Sequence, residues 1–119
     1  MRKINVQSKM RQISEAWKPV VIGELNGQQV KLAKLEGEFI WHHHEREDEL
    51  FYVLSGILDI EFRDGALRLG PGEMVIVPKG VEHRPRAQGV AHVMFFEPAS
   101  TLNTGNIRND RTVENLETL

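Results

Sequence analysis

Between Val20 and Pro98 the chain alternates short runs of aliphatic, aromatic and β-branched residues with clusters of Gly, Pro, Asn and Asp. Runs bounded in this way predict strands, and they cover Val20–Leu25, Gln28–Leu35, Glu38–His42, Glu49–Leu54, Ile57–Arg63, Ala66–Leu69, Met74–Val77 and Val90–Glu97. Asn26-Gly27 and Asp64-Gly65 suit two-residue hairpins, while Ser55-Gly56, Gly70-Pro71-Gly72 and Lys79-Gly80 mark tighter reversals. Strands joined by such turns run antiparallel. A helix-free body of about 80 residues then fits a small jelly-roll-like β-barrel, an all-β fold.

The ends of the chain read differently. In SKMRQISEAW, Met10, Ile13 and Trp17 share one helical stripe, Ser8 is a suitable N-cap, and Pro19 stops the run. A short helix from Ser8 to Trp17 is the expectation. Beyond Pro98 the strand pattern fades into an Asn- and Thr-rich segment, irregular or partly helical, in which Val113, Leu116 and Leu119 would share a helical face. The predicted organisation is an N-terminal helical segment (1–18), a barrel (19–98) and a C-terminal tail (99–119).

Composition narrows the function classes. With 15 Lys+Arg against 17 Asp+Glu and a net charge of -2, the chain has no basic excess to track a nucleic acid. It has no cysteine, which excludes disulfides, thiolate metal sites and thiol catalysis. Any metal must be held by nitrogen and oxygen. The first ten residues lack an apolar core of signal-peptide length, and no window approaches the ~20 apolar residues of a membrane helix. A cytoplasmic location with no membrane partner is the resulting expectation.

Three of the five histidines, His42, His43 and His44, follow the apolar pair Ile40-Trp41. In isolation such a triplet also reads as a solvated patch. On extended backbone, however, alternate side chains share a face, so His42 and His44 point together while Trp41 and His43 point away. The polar loop Glu45–Asp48 lets Glu49 return beside them, and His83 follows the rigid turn Pro78-Lys79-Gly80. Three neutral imidazoles and a carboxylate suit one divalent transition metal (Fe, Mn, Ni, Co, Cu or Zn) better than Ca or Mg. Such a set leaves coordination positions open for a substrate oxygen or water.

The spacing of these residues resembles the cupin superfamily. Gly37, His42, His44, Glu49 and Gly56 match its first motif, and Gly72, Pro78, Gly80 and His83 match its second. Four residues separate Gly37 from His42, and Ala87 stands where the second motif ends in Asn. The resemblance implies that His42, His44, Glu49 and His83 bind one metal inside a small antiparallel barrel. It also implies a homodimer, as in many small cupins, with the N-terminal strand and Trp41 as interface candidates.

Cupins support many reactions on one barrel, so the function expected is coarse. One reading is a metal-dependent enzyme acting on a small oxygenated metabolite, either isomerase-like, resembling the phosphomannose or phosphoglucose isomerase cupins, or dioxygenase-like. The other is a small-ligand binding or sensing module without turnover. No general base stands out: Glu47, Asp48 and Glu82 lie in polar loops. Phe51, Val53, Ile60, Phe62, Val75 and Phe96 fit either a core or an apolar pocket, and His92 reads as a hydrogen-bonded barrel residue. Arg63, Arg68, Lys79, Arg84 and Arg86 lie near turns where an anionic substrate would meet them.

Overall fold

The computed structural model describes residues 1–119. One short helix, α1 (Val6–Arg11), precedes six strands: β1 (Val20–Leu25), β2 (Gln28–Glu38), β3 (Glu49–Phe62), β4 (Gly65–Leu69), β5 (Met74–Val77) and β6 (Arg84–Pro98). Every strand pairing is antiparallel, in the order β1-β2-β6-β3-β4, with β5 also on β3. Asn26-Gly27 closes the first hairpin with Leu25 opposite Gln28, as the dipeptide predicts.

The three long strands make the barrel. Along its first half β3 lies between β5 and β6, and along its second half between β4 and β6. The change of neighbour occurs at register shifts around Ser55 and Gly56. Predicted as a turn, Gly56 is a bulge instead: a Cβ there would overlap the Val90 carbonyl, so only glycine lets β3 continue past β6. Two predicted runs therefore merge into one strand. The bulge also switches which side chains point inward, from Phe51 and Val53 before it to Leu58 and Ile60 after it. With Ala33, Leu35, Val93 and Phe95 they fill the interior.

The predicted strand Glu38–His42 does not form. β2 absorbs its first residue, and beyond Glu38 the segment keeps one hydrogen bond from the Phe39 N–H to the Pro85 carbonyl and a bridge between His42 and His83. β6 begins at Arg84 rather than Val90, because the apparent break at Gln88-Gly89 is accommodated within the strand.

The helix also differs from expectation. Asn5 rather than Ser8 is the N-cap: its side chain accepts the Ser8 N–H at 2.9 Å, and α1 ends at Arg11. Met10 is buried with Val20, Ile22 and Leu32 on the outer face of the sheet, and Val6 and Ile13 pack at the edge. Trp17 lies outside the helix, in a turn at φ 64°. The tail is irregular, without the helical face expected of Val113, Leu116 and Leu119. It is tied down where Val21 N–H donates to the Glu117 carbonyl and Leu119 N–H to the Val21 carbonyl. No helix is long and apolar enough to cross a membrane.

Candidate metal centre

His42 and His83 are held together by the backbone. The His42 N–H donates to the His83 carbonyl at 3.0 Å and the His83 N–H donates back at 2.9 Å, so two segments distant in sequence deliver adjacent imidazoles. His42 Nδ1 lies 3.0 Å from the Ile40 carbonyl and His83 Nδ1 2.9 Å from the Val81 carbonyl. A carbonyl only accepts, so both Nδ1 atoms carry a proton and both rings turn Nε2 toward the same point. Glu49, first residue of β3, places Oε1 3.3 Å from His83 Nε2 and 3.2 Å from His44 Nε2. One ligand atom from each of His42, His44, Glu49 and His83 lies within 4.8 Å of the others.

All four side chains are almost fully buried, at 2, 3, 4 and 0% exposure. Burial, and then the neighbouring His83, lowers the His42 pKa to about 4, so its imidazole is neutral near neutral pH. Burial opposes ionisation of Glu49, but the approach of His44 and His83 outweighs it and holds the carboxyl well below its usual range. The approach of His44 to Glu49 lacks hydrogen-bond geometry, and both ring nitrogens of this buried imidazole have no partner. A buried polar ring left unpaired is costly unless something else binds it. Four ligand atoms drawn together, two rings pinned through Nδ1 and an orphaned imidazole together fit a divalent transition metal.

The site opens on a small cavity of about 30 Å³, lined by His42 and Glu49 with Leu35, Phe39, Phe51, Pro85 and Phe95. Trp17 closes one side. Its ring stacks on Phe39 at 4.6 Å between centroids, and its indole N–H donates to the Glu36 carbonyl. The tail borders the same region: Asn103 lines the cavity, and Asn106 bonds His43 on both sides, its N–H to the carbonyl and its Oδ1 to the N–H. Gly105 permits this, because a Cβ there would overlap the His43 carbonyl. The segment carrying two of the four candidate ligands is thus clamped between the barrel and the tail.

Residues 28–97 match the family model described as the cupin domain. The chain belongs to the cupin family. This cupin is 47% identical to a cupin-2 domain protein of Shewanella frigidimarina, whose structure covers 80% of this chain and 93% of its own at a TM-score of 0.79. It is 33% identical to protein NMB1881 of Neisseria meningitidis, covering 82% of this chain and all of that one at a TM-score of 0.75. Among curated relatives it is 45% identical over 67 residues to the uncharacterized protein YdbB of Bacillus subtilis, across 56% of this chain and 59% of that protein. It is also 32% identical over 83 residues to the acireductone dioxygenase of Bacillus licheniformis, across 64% of this chain and 46% of the enzyme. The matches thus span about half the length of these curated relatives.

Other candidates fall outside the cupin cavity. Arg63 pairs with Glu82, Arg68 with Asp59, and Arg84 with Glu61 and Glu38, all on the outer surface. Lys79 offers only its backbone N–H, to Asp48, and neither it nor Arg86 lines the cavity. Glu47 accepts from the Ser100 hydroxyl, Asp48 from the Lys79 N–H and Glu82 from Arg63, and none of the three lines the cavity. His43 points away, as alternation predicts, and is partly exposed. Trp41, the interface candidate, packs under the Arg63 guanidinium at 3.8 Å. His92 does not line the barrel; it borders an outer groove beside α1, opposite Ser55 and Lys34 in register. Of the aromatic and aliphatic candidates, only Phe51 reaches the cavity; Val53 and Ile60 are core, Phe62 and Val75 pack at its edge, and Phe96 is half-buried.

The cavity also contains residues that motif spacing did not single out. Glu97 lines it, and Lys31 Nζ lies 2.8 Å from Glu97 Oε1 with both side chains buried. Burial and the nearby Glu49 push the Glu97 carboxyl well above its usual range, with Lys31 pulling against them. The signal was available: Lys31 shares strand parity with Ala33 and Leu35, and Glu97 with Val93 and Phe95, all inward-facing. Trp17 and Phe39 lack such a signal, since a non-helical turn and a segment just past the end of β2 place them.

Proposed function

We propose that this cupin is a metal-dependent enzyme acting on a small oxygenated metabolite, with dioxygenase-type chemistry favoured over sugar-phosphate isomerisation. The observation that carries the reading is the buried His42, His44, Glu49 and His83 set opening on a largely apolar cavity. That cavity has no Lys or Arg in its lining, whereas a phosphorylated sugar calls for a cationic clamp. The relatives named acireductone dioxygenase support oxygen chemistry.

A divalent transition metal at this site would supply Lewis-acid polarisation of a bound oxygen and, if redox-active, electrons for dioxygen. The protein's own contributions are separate. The Ile40 and Val81 carbonyls fix two imidazole tautomers. Glu49 supplies one negative charge beside the neutral His42 ring. Phe51, Phe95 and the Trp17–Phe39 stack keep bulk water from the site, which strengthens each electrostatic contact within it.

The test is oxygen uptake by iron-loaded protein supplied with a panel of enediols and hydroxy ketones. Substrate-dependent uptake that Glu49→Ala abolishes is the expected result. Stoichiometric ligand binding with neither oxygen consumption nor product would show a binding or sensing module instead.

A further inference from the structure

We propose that Glu97, held by Lys31, is a specificity-determining residue that hydrogen-bonds the hydroxyl group of a small hydroxylated ligand entering beside His42 and Glu49. The inference rests on the metal-site reading above and extends it to ligand choice. Both side chains are almost completely buried, Lys31 at 2% and Glu97 at 4% exposure. Lys31 Nζ engages only Oε1, at 2.8 Å, while Oε2 is buried without a partner. An ion pair retained only for structure would be expected to satisfy both oxygens, because an unpaired buried oxygen carries the full cost of desolvation. This one belongs to a side chain that lines the same cavity as His42 and Glu49. Apart from Asn103 the rest of that wall is mostly apolar, so Glu97 is the acidic side chain beside the candidate ligands that is not one of them. A hydroxyl both donates and accepts, so it pairs with this carboxyl in either protonation state.

The experiment uses the full-length protein loaded with Co(II) and measures binding of glycolate and of propionate, which carries a methyl group in place of the hydroxyl. The variants are Glu97→Gln and the apolar pair Lys31→Met/Glu97→Leu, the second leaving no buried charge unpaired should the first fail to fold. In wild type, glycolate binds more tightly than propionate. In the double variant that preference falls about tenfold or more, the worth of one hydrogen bond to a charged group, at unchanged cobalt stoichiometry. Full cobalt loading with the same preference in wild type and double variant would overturn the proposal alone. Failure of wild type to take up cobalt would overturn it together with the metal-site reading.

Discussion

The two faces of β2 and β6 are built from alternating residues of the same strands and serve opposite ends. Outward, Val30, Leu32 and Met94 pack beneath or beside α1 with Met10, Val20 and Ile22 in a wholly apolar patch. Inward, Ala33, Leu35, Val93 and Phe95 continue an equally apolar surface until Lys31 and Glu97 interrupt it beside the four candidate ligands. The contrast separates a face where burial is purely apolar from one where titratable groups are buried as well. Charged groups inside a small barrel are costly, and here they gather around one cavity.

The largest effect that would sharpen this contrast is on metal content. Alanine at His44 or His83 should remove most bound metal, a loss of tenfold or more in affinity, while circular dichroism still reports a folded barrel. Next comes Lys31→Met alone, which strands Glu97 in the interior. With its pKa already raised, Glu97 then protonates, so the expected cost is about 1–3 kcal/mol in chemical denaturation, largely recovered in the double variant with Glu97→Leu. Met10→Ala, on the outer face, should cost about 2–3 kcal/mol and leave metal stoichiometry unchanged. A Met10 variant that lost metal would break the division between the faces.

Acid should act on the inner face. The folded-state pKa of His42 is lowered from 6.5 to about 4, so the unfolded chain takes up a proton that the folded one refuses. Above pH 6.5 the group contributes nothing. As pH falls from 6.5 towards 4, metal-free protein should lose stability, by up to about 3 kcal/mol from this group. Glu49, whose pKa is held low, adds a further loss in the same direction at lower pH. Denaturation midpoints across this range, compared with a His42→Asn variant, would read the His42 part directly.

Much of the barrel was legible before the structure. β1 and β5 fall on their predicted residues, because clear alternation and turn residues bound them. The four candidate ligands were legible from spacing, and the structure brings them together. What alternation could not show was the effect of bulges: Gly56 reads as a turn because local sequence gives no sign that Val90 will lie against it. The same limit applies to Trp17 and Asn103, which reach the cavity through a positive-φ turn and an irregular tail. Lys31 and Glu97 were legible in parity but masked by charge, since an isolated Lys or Glu in an apolar run reads as solvated.

The most direct test of the central claim is elemental analysis of anaerobically purified protein, wild type beside His44→Ala, expressed as moles of each transition metal per chain. Near-stoichiometric metal in wild type and little in the variant is the result the buried three-histidine, one-carboxylate site predicts. Equal metal in both, or none in wild type even after reconstitution, would contradict it.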